Sequence, residues 1–299
     1  MSLGCNCENG LSNTGTPNCV PIQSVTSTMV MVAITANDGT LNGVDLNAPL
    51  PSFTALINEP DASKRWFPLP KFENVELPKA DSQFEEASSG RMVFLRQGKR
   101  SFTGELWAED SSPTLLGKMQ NNRCVEFGVY IIDVNGNLVG SQQGGFLRPI
   151  PVDNPSFNPT YTFATDATVS KIMVAFDFNR LFDESTMYMI TPTEAGINFN
   201  DLTGLIDVNF LNSIITSTSI TFDAKLDYGT AINKILFKGA VSADFLLTNN
   251  TTVATVATTV VENSDGNYTV SFIAQTTGDS LTLSIAKTGY DGETTFVAL

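Results

Sequence analysis

Residues 125–140 read VEFGVYIIDVNGNLVG, and this stretch decides the fold class. Two apolar runs, 125–133 and 138–140, flank a turn that contains Asn135 and Gly136. An Asn-Gly pair between apolar runs is the strongest short signal for a β-hairpin, since both residues accept the positive φ angles that a tight turn requires. The stretch therefore predicts two antiparallel strands joined by that turn.

Further strands are predicted on both sides of this hairpin. The segments 27–35 (STMVMVAIT) and 171–178 (KIMVAFDF) are apolar on both faces or nearly so. Such strands need cover on both sides, or pairing with a neighbour at an edge. Residues 91–95 (RMVFL) and 101–107 (SFTGELW) flank a turn and predict a second hairpin. The chain is thus predicted to be nearly all β.

The clearest helix signal begins at Ser111 or Ser112, either of which can cap a helix. Pro113 suits the first helical position, and the apolar residues 115, 116 and 119 lie on one side. These features predict one short helix between the two hairpins.

Two segments, 36–60 and 144–160, contain frequent prolines and are predicted as long loops. Loops of this length are uncommon in compact domains unless they have a function. Reaching across to a neighbouring subunit would explain them.

The composition changes near Ser213, after which the chain is rich in Thr and Val. About seven short strands in roughly 85 residues predict a small β-sandwich, immunoglobulin-like in architecture, although it has no Cys pair and no Trp. The sequence thus predicts an irregular N-terminal arm (1–24), an all-β domain with one or two short helices (25–214) and an immunoglobulin-like β-sandwich (215–299). We expect residues 217–299 to be dispensable for assembly.

The charge and the composition argue against several functions. The chain has 299 residues, a net charge of −14 and no histidine, so His-based triads, bases and metal sites are excluded. An acidic chain is a poor binder of nucleic acid, since affinity comes from neutralising phosphates. No apolar run is long enough to span a membrane, and the N-terminus lacks a secretory signal, so we expect synthesis in the cytoplasm. We expect no enzymatic activity and no cofactor.

Three of the four cysteines, Cys5, Cys7 and Cys19, lie within the first 20 residues and are weak candidates for a zinc site. The spacing of Cys5 and Cys7 is shorter than structural zinc sites usually have, and no histidine can complete the set. Free thiols are the default expectation in the cytoplasm.

One basic cluster is present in the sequence, formed by Arg91, Arg96, Lys99 and Arg100. It could meet nucleic acid, but in a ring of identical acidic subunits it is a natural partner for the acidic surface of a neighbour. We therefore predict that these four residues lie at a subunit interface.

Several motifs follow one another in the middle of the chain. They are residues 85–90 (EEASSG), 96–102 (RQGKRSF), the helix start 112–116 (SPTLL), 124–133 (CVEFGVYIID) and 135–138 (NGNL) followed by Gly140. In this order they resemble the major tail, or tail tube, proteins of tailed bacteriophages. The resemblance covers residues 25–195, and immunoglobulin-like domains are also appended to phage tail, capsid and fibre proteins.

The resemblance implies a β-sandwich or curved sheet flanked by one helix, with six copies joined into a ring and rings stacked into a tube. Its lumen would be lined by uncharged or acidic side chains, and genomic DNA would pass without tight binding. The implied partners are further copies of the chain and other tail or head–tail proteins. The implied location is the virion, assembled in the cytoplasm of the host bacterium.

Two features do not map onto that family, namely the Cys-bearing N-terminal arm and the Pro-rich segment 144–160. They leave open a head–tail connector, a tail terminator or a baseplate ring. A head decoration or head fibre protein is another possibility. A carbohydrate-binding adhesin, with Trp66 or Trp107 stacking on sugar, is a further alternative.

Overall fold

A computed structural model describes residue 15 and residues 20–107, 110–180 and 182–299. Strands make up 47% of the structure and helices 12%, which confirms the predicted all-β class with few short helices. None of the described helices is long and apolar enough to cross a membrane.

The first unit contains two packed β-sheets and three short helices within the described residues. The strands are β1 (Thr26–Ala33), β2 (Val44–Asp45), β3 (Phe67–Pro68), β4 (Glu73–Glu76), β5 (Gln83–Glu86), β6 (Met92–Arg96), β7 (Ser101–Trp107), β8 (Phe127–Asp133), β9 (Leu138–Gln143), β10 (Phe146–Arg148), β11 (Ile150–Pro151), β12 (Asn158–Thr162), β13 (Lys171–Asp177) and β14 (Met187–Ile190). The helices are α1 (Phe53–Ile57), α2 (Pro113–Asn121) and α3 (Pro192–Ala195).

The larger sheet has the order β2-β10-β9-β8-β1-β3, with β11 paired to β8 and β14 paired to β9. The second, four-stranded sheet has the order β12-β13-β7-β4. Alternate residues of β1 enter different cores. Met29 and Met31 pack between the two sheets, whereas Val30 and Val32 pack on the far side of the larger sheet. This strand is therefore covered on both faces, as its sequence predicts.

The predicted hairpin at 125–140 is confirmed as β8 and β9, with Ile132 opposite Leu138. Asp133 holds its turn, because its carboxylate accepts the backbone N–H groups of Asn135 and Asn137, each at 2.9 Å. The same carboxylate accepts the N–H of Ser24 at 2.9 Å. One side chain thus holds the turn and also ties the segment that precedes β1 to it.

The helix predicted from its cap is also confirmed. The Ser112 hydroxyl accepts the N–H of Leu115, and Pro113 is the first residue of α2. In contrast, the predicted hairpin of residues 91–95 with residues 101–107 is wrong. The first segment (β6) pairs with β5, and the second (β7) lies between β13 and β4.

The segment 144–160 is not a continuous loop, contrary to the prediction. It contains β10, β11 and the beginning of β12. Its prolines are compatible with these strands, because they lie between strands or at edges or ends of strands, where no sheet hydrogen bond needs their missing N–H. Pro149 separates two short strands, and Pro159 lies in the edge strand β12. The segment 36–60 likewise contains β2 and the short helix α1.

The second unit is a sandwich of two sheets. Its strands are β15 (Ile206–Ile215), β16 (Ser219–Gly229), β17 (Lys234–Leu236), β18 (Phe245–Asn249), β19 (Ala254–Val256), β20 (Thr258–Ser264), β21 (Asn267–Phe272), β22 (Ser280–Ile285), β23 (Tyr290–Asp291) and β24 (Glu293–Val297). One sheet has the order β20-β21-β16-β15-β23, with β17 paired to β16, and the other has the order β19-β18-β22-β24. The predicted β-sandwich is therefore confirmed, and its immunoglobulin-like architecture stays a prediction.

The core of the second unit contains a cluster of aromatic side chains among aliphatic ones. Phe222, Phe245 and Tyr268 are buried there with neighbouring ring centroids 5.6 to 6.0 Å apart. Since β15 begins at Ile206, this unit starts ahead of the expected position 215.

Candidate subunit interface

Strands β5 and β6 form a ribbon that pairs with no other strand of the described chain. We refer to residues 83–96 as the arm. Every residue of both strands is exposed. An isolated two-stranded hairpin is marginally stable in water, so this ribbon lacks the support that the other strands have.

The arm carries apolar side chains on both of its faces. Phe84 lies opposite Phe94, and Glu86 lies opposite Met92, which places these four side chains on one face. The ring centroids of Phe84 and Phe94 are 5.7 Å apart. Val93 lies opposite Glu85 on the other face, and Leu95 follows at a register shift between the two strands. The five apolar side chains are 43% to 58% exposed: Phe84, Met92, Val93, Phe94 and Leu95.

Exposed apolar side chains that cluster in this way mark an interaction site. Complete burial of a large apolar side chain contributes about 1.5–3 kcal/mol, so covering the exposed half of each contributes roughly 1 kcal/mol. A partner that covers the arm would therefore gain several kcal/mol from these five side chains.

The arm is held rigidly at its base. The backbone N–H of Ala80 donates to the carbonyl oxygen of Lys99 at 2.8 Å, next to Gly98. A β-carbon at Gly98 would lie 1.6 Å from the carbonyl oxygen of Ala80, so only glycine permits this approach of the two chain segments. This glycine fixes where the arm leaves the sandwich.

Ion pairs anchor the same base to the first unit. Glu184 accepts from Lys79 at 2.8 Å and from Arg100 at 2.9 Å. The hydrogen bond from Lys79 and the nearby Arg100 lower the pKa of Glu184, although its burial opposes that shift. Lys99 pairs with Asp177, at the end of β13.

The four basic residues predicted for the interface therefore do not lie in one patch. Lys99 and Arg100 pair with carboxylates of their own chain at the base of the arm. Arg91 is exposed beside the turn of the arm, and the Nε of Arg96 donates to Oε1 of Gln83 at 2.6 Å. Their role at an interface stays a prediction.

Sequence reasoning missed the apolar residues of the arm. Residues 91–95 read as an ordinary strand, and Phe84 belongs to a segment that gave no strand signal. The available signal was Glu85-Glu86 followed by Ser88-Ser89-Gly90, a charged strand and a turn. It indicates a hairpin with polar ends, but it does not show that the hairpin lacks cover.

The outer face of the four-stranded sheet carries mainly uncharged and acidic side chains, and its cation Lys171 is paired with an acid. Thr103 of β7 and Thr160 of β12 lie on this face, together with the ion pair of Glu105 and Lys171 at 2.5 Å. Burial disfavours the charged form of Glu105, but hydrogen bonds, first from Lys171, hold its pKa below the ordinary value. Glu73 and Glu76 of β4, both exposed, add negative charge.

The two tryptophans differ in exposure. Trp66 is buried and stacks on Tyr130 with centroids 4.7 Å apart, so it cannot stack on a sugar. Trp107 is 42% exposed, and its indole N–H donates to Glu105 at 2.8 Å.

Within the described residues, no group of three or more His, Cys, Asp or Glu side chains is arranged to hold a metal ion. The weak zinc candidates Cys5, Cys7 and Cys19 lie outside the described residues. Cys124, which is described, is exposed with a free thiol.

Comparison with known proteins identifies no relative. No protein-family model, no curated protein and no solved structure matches the chain. The protein is therefore defined by its own features: an all-β chain with a β-sandwich as its second unit and an uncovered apolar arm.

Proposed function

We propose that this protein is a structural component of a tailed-bacteriophage virion. Its copies would assemble in the host cytoplasm into rings, with six copies to a ring, and the rings would stack into the tail tube. The observation that carries the proposal is the arm. Its two apolar faces are left uncovered by the described chain, and a neighbouring copy is the simplest partner that would cover them.

The order of sequence motifs and the all-β fold flanked by short helices also support the proposal. The four-stranded sheet supplies a surface suited to a lumen. Glu73 and Glu76 on its outer face would repel phosphate, and Thr103 and Thr160 carry no charge. The cation Lys171 on the same face is already paired with Glu105. DNA would slide past such a face without tight binding.

A purely catalytic role has less support. Among the described residues there is no metal cluster, and the acidic neighbours Glu85 and Glu86 point to opposite faces of the arm, so they cannot converge on one substrate.

The experiment is negative-stain electron microscopy of the purified full chain, with mass photometry on the same sample. Rings or tubes with a central hole wide enough for duplex DNA are the expected result. Closed rings that never stack would favour a connector, terminator or baseplate ring. A monomer at all concentrations would overturn the proposal.

A further inference from the structure

The two units of the chain enclose a cleft of about 700 Å³. Residues 65–70, helix α2 and residues 202–207 line it, together with Tyr228 from the second unit. Its size falls within the range of about 300–1,000 Å³ that is usual for ligand sites. Apolar side chains dominate its walls, among them Phe67, which is 40% exposed.

The arm and the cleft lie at opposite ends of β7. The arm joins the Ser101 end of this strand, whereas α2 follows the Trp107 end. Strand β4 runs antiparallel to β7, with Glu76 opposite Thr103 and Glu73 opposite Glu105, so the preceding residues 65–70 lie toward the Trp107 end. Seven residues of extended chain separate these ends by roughly 20 Å. Each copy therefore has the arm at one end of β7 and the cleft, which could receive the arm of another copy, at the other end.

The charges of the two surfaces allow copies to meet in spite of the net charge of −14. The arm carries two acids, Glu85 and Glu86, and two bases, Arg91 and Arg96. In the cleft, Lys118 pairs with Asp207 at 2.6 Å and with Asp227 at 3.2 Å. Neither surface carries a large uncompensated charge that would repel the other.

We propose that the arm of one copy occupies the cleft between the two units of the next copy. This inference rests on the proposed function and names the receptor for the arm. The contact is heterologous, because a donor surface on one copy meets a different receptor surface on another. Such contacts close into rings or extend into filaments. The second unit supplies Tyr228 and Asp207 to the cleft. If the arm binds there, residues 217–299 are needed for assembly, contrary to the expectation from the sequence.

The test uses two full-length variants. The arm variant, Phe84→Ser with Phe94→Ser, keeps an intact cleft, and the cleft variant, Phe67→Asp, keeps an intact arm. Each alone is expected to need at least tenfold more protein than the wild type to assemble. In a mixture of the two variants, the intact arm of the cleft variant can enter the intact cleft of the arm variant, and no other pair of intact surfaces exists. Mass photometry should therefore show a dimer, with twice the 32.2 kDa chain mass, and no larger species.

Tyr188→Asp is the matched control for the cleft variant, because Tyr188 is an exposed aromatic residue of a strand outside the cleft. Thermal melting checks that every variant folds, and Phe67→Ser replaces Phe67→Asp if the latter does not. A cleft variant that assembles like the wild type overturns the inference and leaves the proposed function standing. A mixture that contains monomers alone also overturns it. A wild-type chain that stays monomeric overturns the proposed function itself.

Discussion

Phe84 and Phe94 face each other across the arm with ring centroids 5.7 Å apart, and each remains about half exposed. Their edge-to-face contact helps to hold the two strands together. This contact leaves the two rings exposed to water. In contrast, Phe102 and Phe176 are buried between the two packed sheets of the first unit. Burial of the apolar side chains of the arm would therefore contribute much of the free energy of association.

The direction of the arm should depend on Gly98. In Gly98→Ala, the new methyl group would overlap the carbonyl oxygen of Ala80, and the two chain segments at the base must move apart. We expect a local cost of about 1–3 kcal/mol and a loss of assembly, with the melting of the two sandwiches retained. Mass photometry and circular dichroism measure these two effects.

The control for that variant is Gly117→Ala. Gly117 belongs to α2 but is not one of the helix residues that line the cleft, and a β-carbon there meets no atom within 4 Å. It should assemble normally, because alanine is the better helix former. Normal assembly of Gly98→Ala would show that the geometry of the base does not matter.

The stability of the first unit should depend on pH through Asp133. Burial opposes ionisation of this carboxyl, but the N–H donors of Ser24 and Asn137 outweigh it and lower its pKa. Its contribution to stability is therefore present above the unfolded pKa, about 3.9, and is lost as the pH falls through the lower folded value. We expect Asp133→Asn to lower the free energy of unfolding at pH 7 by about 1–3 kcal/mol.

Urea denaturation at pH 7 and at pH 3 would measure this difference. The gap between wild type and Asp133→Asn should narrow at the lower pH, because pH 3 lies below the unfolded pKa and the carboxyl of the unfolded chain then binds a proton. Asp166→Asn, at an exposed position, serves as the control. An equal gap at both pH values would contradict the proposed role of the charge.

The charge on the outer face of the four-stranded sheet should determine whether the assembled protein binds DNA. The double variant Glu73→Lys with Glu76→Lys places two cations on this face. We expect its tubes to retain duplex DNA in a mobility-shift assay, with binding that weakens as salt rises. The wild-type tubes should not retain DNA.

Asp265→Lys with Glu293→Lys changes the net charge by the same amount at exposed positions of the second unit. If this control retains DNA as strongly as the Glu73 and Glu76 variant does, the four-stranded sheet does not face the lumen.

Local chemistry explains which parts of the fold could be predicted. Asn135-Gly136 specifies a turn, and Ser112-Pro113 specifies a helix start, because each acts within a few residues. The partner of β7 could not be read in this way, since it is β13, whose residues lie about 70 positions along the chain, as in the pair Phe102 and Phe176. Pairing at such a distance depends on the whole sandwich.

The candidate site shows the same limit. The four basic residues predicted for an interface are close in sequence. Two of them, Lys99 and Arg100, form ion pairs with carboxylates from distant segments, Asp177 and Glu184. The exposure of Phe84 and Phe94 is equally non-local. An apolar residue in a strand is normally buried by a second layer, and the sequence of the arm does not show that this layer is missing.

Comparing the arm variant with a matched exposed phenylalanine tests the central claim most directly. Mass photometry over a range of concentrations would compare the wild type, the variant Phe84→Ser with Phe94→Ser, and Phe163→Ser, whose side chain is 77% exposed outside the arm. If the arm drives assembly, the wild type and Phe163→Ser assemble at the same concentration, and the arm variant needs at least tenfold more protein. Assemblies of equal size and onset in all three would contradict it.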